Sequence, residues 1–423
     1  MVEFLKGSWA LLLGMMLLMI GNGMHGTLLG IRGEAAGFST LEMSMVMSAY
    51  FVGFLGGSRM TPEMIRRVGH VRVFAALASF ISAVLIMYPT FQNPIAWVLG
   101  RVLIGFCFSG VYVTAESWLN NAASNDTRGK ALSLYMMVQM IGIVTAQGLV
   151  TLPDPSGFVL FVIPSVLVSI SFAPILLSIS PTPAFDTTKP MTMRELFGNS
   201  PLGVVGMFML GGVFSAQFGM SAVFATRAGL SVGELSLFIA SFYVGATLCQ
   251  YPLGWISDRM DRRVLIMFVA AIGCVAAVVG FTAGDNYPML LISALFIGGF
   301  SNPLYSLLIA HANDFLEYED MAAASGGLVF INGLGAIAGP IITGWAMDVI
   351  GPSGFFIYLA LLLAVLGIYA GFRTTRRSAP AVEDTGSYTA VMPTSSPVAV
   401  EVAQEVAIET ALEEEHEAEA AQE

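Results

Sequence analysis

Twelve long apolar segments separated by short polar loops fill most of this 423-residue chain, and they decide what it can fold into. A helix needs about 20 mostly apolar residues to cross a hydrocarbon core of roughly 30 Å. Open strands cannot cross, because their backbone groups would find no partner in lipid. The sequence therefore predicts an all-α integral membrane protein with helical spans at 8–31, 41–60, 71–89, 94–120, 130–150, 158–179, 201–226, 235–256, 264–283, 288–311, 322–347 and 354–373. Charged residues make up only 11% of the chain, against roughly 25% in soluble domains, which excludes an ordinary soluble fold. The first apolar stretch is too long for a secretory signal and no small-residue cleavage site follows it, so it reads as a span.

The formal net charge of −11 does not describe the spans. Every excess acid lies after Arg377, from Glu383 and Asp384 through Glu401, Glu405 and Glu409 to Glu423, and no Lys or Arg follows Arg377. No basic surface for nucleic acid is present. Cys107, Cys249 and Cys274 lie in apolar runs without paired spacing, so neither a disulfide framework nor a zinc site is suggested. No Gly-rich loop ends in Gly-Lys-Ser/Thr and no Ser-His-Asp grouping appears, so the sequence predicts neither ATP use, enzymatic activity nor a cofactor.

Basic residues alternate from loop to loop. With the N-terminus inside, Lys6, Arg59, Arg66, Arg67, Arg72, Arg128, Lys130, Lys189, Arg194, Arg259, Arg262, Arg263, Arg373, Arg376 and Arg377 all fall on the cytoplasmic side. Only Arg32 and Arg227 fall outside, and Arg101 lies within a span. The asymmetry predicts cytoplasmic termini. Trp9, Trp97, Trp118, Trp255 and Trp345 lie near span ends, where the headgroup level suits an indole ring.

A polar interruption at 181–200 divides the spans six and six. The expected organisation is an N-terminal six-helix bundle (1–180), a cytoplasmic linker (181–200), a C-terminal six-helix bundle (201–373) and an acidic, disordered cytoplasmic tail (374–423) too poor in apolar residues to fold alone. The halves match weakly at a displacement of about 193: Gly105 falls on Gly298, Asn120 on Asn313, Ala131 on Ala324, Gln139 on Asn332 and Gly142 on Gly335. At a displacement of 195, Arg32 falls on Arg227 and Asn22 on Gln217. Duplicated halves place a substrate site between them near the bilayer midplane.

The loop Gly254-Trp-Ile-Ser-Asp258-Arg259-Met-Asp261-Arg262-Arg263 resembles the G-x-x-x-D-R-x-G-R-R signature of the major facilitator superfamily, and Arg101-x-x-x-Gly105 resembles a second family motif. Ala115-Glu116-Ser117 and Thr127-Arg128-Gly129-Lys130, with Leu134 to Val138 following, are similar to the bacterial YcaD-type subgroup. The resemblance covers residues 1 to about 373. It implies two pseudo-symmetric six-helix bundles in a bacterial cytoplasmic (inner) membrane, acting as a monomeric secondary transporter of a small solute by alternating access.

The first-half loop departs from the signature, with Pro62 at the leading Gly and Arg66 at the Asp position. The antiporter pattern G-x-x-x-G-P is absent from the fifth span but present in the eleventh as Gly335-x-x-x-Gly339-Pro340. The resemblance implies that Asp258 sits against the start of the fifth span, near Arg128 and Gly129, where a carboxylate offsets the helix dipole. Opposite Arg66 and Arg67 the entry to the eleventh span is acidic, with Asp314, Glu317, Glu319 and Asp320. These form either an inter-bundle latch or merely solvated charges worth about 0–1 kcal/mol per pair. Glu116 is expected to anchor the cytoplasmic end of its helix by pairing with loop arginines.

Arg101 is the one cation deep in a span, where a charge costs roughly 2.5–3.5 kcal/mol even on lenient scales. It either faces a central cavity and attracts an anion or braces neighbouring helices. His25, three residues from Asn22, either carries a coupling proton or is a hydrogen-bonded structural group. Asn22, Gln139, Gln217, Asn302 and Asn332 are uncharged polar residues near mid-span, candidates for a cavity lining or for helix-to-helix glue. The leading reading is a transporter of an anionic or polar organic solute. Its rivals are a proton-coupled exporter of amphipathic compounds, suggested by 25 Met and 29 Phe, and a non-transporting membrane sensor or scaffold acting through the tail.

Overall fold

The computed structural model describes residues 2–123, 125–152, 154, 157–177, 191–316, 318–376, 385–386 and 388–407. The N-terminal half comprises α1 (Val2–Ala35), α2 (Thr40–Val68), α3 (His70–Thr90), α4 (Pro94–Ala122), α5 (Asn125–Val150), α6 (Val159–Ser171) and the short α7 (Ala173–Leu177) that completes the sixth span. After α8 (Met193–Asn199), the C-terminal half comprises α9 (Pro201–Ser215), a π-helical turn (Ala216–Met220), α10 (Ser221–Arg227), α11 (Val232–Ser257), α12 (Arg262–Thr282), α13 (Tyr287–Asn313), α14 (Tyr318–Ile350) and α15 (Gly354–Thr374). A last helix, α16, covers 397–407.

Eleven of these spans are both long and apolar enough to cross a membrane, α9, the π turn and α10 counting as one. The twelfth is α2. Its 29 residues suffice in length, but Glu63, Arg66 and Arg67 in its final turns and a series of buried small polar residues dilute its hydropathy. Ser44 and Ser48 face the other half rather than lipid. Large apolar residues such as Ile95, Leu248, Tyr251 and Ile368 remain exposed around the perimeter, as a lipid-facing surface requires.

The duplication shows in how the helices begin. Ser39 and Ser231 each form a capping box, with Glu42 and Glu234, at the start of the second span of their halves. Asn93 and Asn286 cap the fourth span of each half, each with proline in the first turn. Within each half the second and fourth spans pack backbone to backbone. A Cβ on Gly105 would overlap the Tyr50 carbonyl, and one on Gly298 would overlap the Phe242 carbonyl.

At the end of the bundle opposite the termini the halves meet directly. Thr40 donates its hydroxyl to Asp348, Ser48 donates to the Ile337 carbonyl at 2.6 Å, and Arg227 pairs with Glu34 at 3.4 Å and Asp348 at 3.7 Å. At the terminus-bearing end the cross-half hydrogen bonds among the described residues run through 386–407.

Three expectations change here. The sequence predicts a disordered tail, yet 388–407 is packed: Val391, Met392, Ser396, Ala399, Val400, Val402 and Ala403 are all buried. Composition weighs only whether the segment can fold alone, whereas here it borrows its core from the two bundles. In the tail, 377–384 with Arg377, 387 and 408–423 lie outside the described residues, as do 178–180 of the N-terminal bundle and 181–190 of the linker with Lys189. The described part of the linker is not a simple polar connection, since Leu196 of α8 is buried and Met191 N–H donates to the Ala323 carbonyl. Finally, Trp97 and Trp118, each about one turn from an end of α4, are buried in the bundle rather than exposed on its perimeter, Trp97 donating to the Tyr88 and Phe91 carbonyls, while Trp9, Trp255 and Trp345 are exposed.

Candidate functional site

Arg101 and His25, the two ionisable candidates within the spans, meet in one cluster in the N-terminal half. Arg101 on α4 places Nη1 3.2 Å from His25 Nδ1 on α1, and its guanidinium lies over the Tyr50 ring at 4.8 Å. Arginine has donors only, so His25 Nδ1 must accept, leaving the His25 proton on Nε2. Among the described residues, that Nε2 and Arg101 Nε have no partner. Among the described residues no carboxylate lies within ion-pair distance of Arg101, although its side chain is buried. The His25 ring packs on Tyr88, which packs edge-on to Trp97, so aromatic rings close the outer side of the cluster.

One turn toward the terminus-bearing end, Asn22 donates to Tyr112 Oη at 3.3 Å, and Tyr50 lies within hydrogen-bonding reach of both. The cluster then borders the other half, with Tyr243 of α11 lying near Tyr50 across the interface. Tyr243 stacks on Phe218 at 5.3 Å, Phe218 on Phe214 at 5.9 Å, and Phe214 contacts Tyr305 at 6.0 Å. Phe218 and Tyr243 are only partly buried, and the Phe218 carbonyl lies against Gly26 of α1, so this aromatic ladder stands at the interface of the halves. Gln217 sits in the π turn, where the wider helix turns its amide inward to donate to Ser301 Oγ at 2.7 Å. Single π turns inside helices occur frequently at functional sites.

Not every polar candidate belongs to this cluster. Asn302 donates to the Gly298 carbonyl of its own helix, whereas Asn332 donates to the Met207 carbonyl and so braces α14 against α9. Gln139 is buried with both amide atoms unpartnered among the described residues. The repeat pairs Gln139 with Asn332 by sequence, but the two make different contacts.

The loop motifs meet the tail. Asp258 accepts from Tyr388 N–H at 2.8 Å, and Gly254 leaves room for the Tyr388 ring. Arg128 donates to Glu405 at 2.9 Å, and Gly129 packs under Val406. The expected Asp258 contact at the start of α5 is thus occupied by the tail. Glu116, expected to pair with loop arginines, accepts instead from the Ser396 hydroxyl and N–H and from Tyr135 Oη at 3.2 Å. Arg262 binds Asp314, Asp258 and the Gly386 carbonyl, Arg263 binds Asp261 at 2.8 Å, and Arg259 lies over Trp255 at 4.1 Å. Burial pushes the Asp314 carboxyl up to about 6 against the opposing pull of Arg262. Arg66 and Arg67 are exposed and both pair with Glu63 at 2.6 Å rather than with the opposite half. Glu317 and the Glu319 side chain lie outside the described residues, and Asp320 is exposed.

Tyr50, Tyr112, Tyr243 and Tyr305 are not among the residues that the sequence singles out. A signal is there all the same: Tyr50 and Tyr243, and likewise Tyr112 and Tyr305, are separated by the same 193 residues that align the halves.

Two six-helix halves with a polar and aromatic cluster at their interface define a polytopic membrane transporter. The profile of the Major Facilitator Superfamily matches residues 11–233 and 204–399, and the chain belongs to that family. The uncharacterized MFS-type transporter YcaD of Salmonella arizonae is 26% identical over 372 residues, covering 84% of this chain and 95% of that protein. Its counterpart from Salmonella typhimurium is 26% identical over 385 residues, covering 87% and 98%. Among solved structures, a bacterial homolog of the human lysosomal transporter Spinster superposes with a TM-score of 0.69 at 15% identity, covering 88% of this chain and 97% of that one. The nucleoside transporter NupG gives 0.68 at 14% identity, covering 87% and 98%.

Proposed function

We propose that this transporter carries a small organic anion with an apolar or planar part across the bacterial cytoplasmic membrane, by alternating exposure of the space between its halves, with both termini in the cytoplasm. The observation that carries the reading is Arg101: among the described residues, a buried cation without an acidic partner, its own Nε and the Nε2 of neighbouring His25 both unpartnered. Leaving a charge unpaired in a low-dielectric interior costs several kcal/mol in general, which an anionic ligand would offset. The aromatic ladder from Phe214 to Tyr243 offers the facing apolar surface. The excess of Arg and Lys on the terminus-bearing loops supports the orientation.

A proton-coupled mechanism resting on His25 is less well supported, because protonating His25 would set two cations 3.2 Å apart unless an anion joins them. The name NupG describes a nucleoside carrier, and a neutral planar solute is the alternative that the aromatic ladder would accept.

The test is a thermal-shift screen of purified protein against small carboxylates, phosphates and sulfonates, with neutral nucleosides and cationic amphiphiles as comparison sets, followed by vesicle uptake of each hit. Stabilisation by anions that vanishes in Arg101→Gln supports the reading. Stabilisation confined to neutral or cationic compounds, or unchanged by Arg101→Gln, overturns it.

A further inference from the structure

The segment following the last span enters the terminus-bearing end of the bundle and binds both halves at once. To the N-terminal half it offers Ser396, whose hydroxyl and N–H donate to Glu116, and Glu405, which accepts from Arg128. To the C-terminal half it offers the Tyr388 N–H to Asp258, the Gly386 carbonyl to Arg262, both backbone groups of Val391 to Ser306, and Gln404 to Asn313. Charged and polar anchors in both halves are thereby satisfied by one irregular stretch and one short helix. Val391, Met392, Ala399, Val400 and Ala403 bury apolar surface between them.

Its depth matters as much as its contacts. Ser306, gripped by Val391, is five residues along α13 from Ser301, the partner of Gln217, a rise of about 7.5 Å. The tail therefore stands directly below the candidate site on the side that an inward-open transporter must use. At the opposite end the halves are already joined by Thr40 with Asp348 and by Ser48 with Ile337. Rocking to the other state would require the terminus-bearing ends of the halves to approach each other, and the wedge occupies that space.

We propose that residues 388–407 form an autoinhibitory wedge that closes the vestibule beneath the substrate site and holds the halves in one conformation until the segment is displaced. Glu116, Arg128, Asp258, Arg262, Ser306 and Asn313 make up the dock. The wedge rests on the proposed function only in that the halves move, so its test is independent of what the protein carries.

The experiment uses purified full-length protein in detergent, with Cys107, Cys249 and Cys274 replaced by serine. A Cβ built on Gly129 would lie 3.1 Å from Val406 Cγ1, and one on Gly254 would lie 3.3 Å from Tyr388 Cγ, placements compatible with a disulfide. Gly129→Cys with Val406→Cys, and Gly254→Cys with Tyr388→Cys, should cross-link on mild oxidation, tying the tail to each half in turn. In separate chains, Ser306→Cys should react with a bulky maleimide at least tenfold faster when the protein stops after Arg376. Ser48→Cys, at the opposite end, should also become more reactive in the shortened chain, because that end can then open. Ser396→Asp, which sets a carboxylate against Glu116 in an otherwise intact chain, should reproduce both changes. Failure of both cross-links, or equal Ser306→Cys rates in long and short chains, overturns the proposal. Faster labelling at position 306 with none at 48 also overturns it, since the tail would then cover the vestibule without holding the halves.

Discussion

Arg101 donates to His25 Nδ1 across 3.2 Å, which fixes the imidazole as an acceptor on that side and leaves its remaining N–H without a partner among the described residues. Removing the charge while keeping the length separates recognition from packing. Arg101→Met is expected to raise the apparent melting temperature of ligand-free protein, because a buried unpaired cation costs more than a packed thioether. The same change should abolish anion binding. Arg101→Lys should also bind at least tenfold more weakly, since an ammonium cannot stack on Tyr50 while engaging His25. Melting curves with and without ligand check both; an Arg101→Met protein that binds normally would remove Arg101 from the site.

His25 offers a complementary case. His25→Asn retains an oxygen acceptor for Arg101, whereas His25→Leu leaves a buried guanidinium hydrogen without one. An unsatisfied buried donor costs about 1–3 kcal/mol, so His25→Leu should melt several degrees below His25→Asn. Equal melting temperatures would show that the Arg101 contact contributes nothing to the fold.

Much of the architecture is legible in the sequence, because lipid imposes a length and a composition on each span that a row of letters displays directly. The repeat is legible too, at Gly105 and Gly298, where close backbone approach demands glycine in both halves. Arg101 and His25 stand out because polar groups in apolar runs are rare. The tyrosines do not, since Tyr50 and Tyr243 are ordinary residues of a span until a fold brings them together. The tail is least legible. Ser396 and Tyr388 look like residues of an unfolded segment, and only the dock supplied by Glu116 and Asp258 gives them partners. A composition rule assesses whether a segment can bury itself, not whether another surface will bury it.

Glycine spacing yields a paired prediction. Gly298→Ala would thrust a methyl group into the Phe242 carbonyl, forcing α11 and α13 apart, while a methyl group on Gly148 would meet no atom within 4 Å. Overpacking costs typically about 1–3 kcal/mol, whereas glycine to alanine in a helix interior with open space gains up to about 1 kcal/mol. Gly298→Ala should therefore lower the melting temperature and Gly148→Ala should hold or raise it. Gly105→Ala, against the Tyr50 carbonyl, should behave like Gly298→Ala and additionally weaken ligand binding by displacing Tyr50.

The buried pair of Arg262 and Asp314 gives the protein a pH dependence whose sign is opposite to that of most carboxylates. Both side chains are about 3% exposed, and burial raises the Asp314 carboxyl to about 6, above its unfolded value near 4. Between those values the folded chain holds a proton that the unfolded chain has lost, so this group's contribution to stability is present at low pH and is lost as pH rises through about 6. Across the window it amounts to at most about 3 kcal/mol. Asp314→Asn removes the titration. The melting temperature of the parent minus that of Asp314→Asn should therefore fall as pH rises from 4 to 7, most steeply between the unfolded and the folded Asp314 values and levelling off above the folded one. A difference that stays flat, or climbs with pH, would mean that the carboxylate of Asp314 is stabilised by Arg262 more strongly than burial disfavours it.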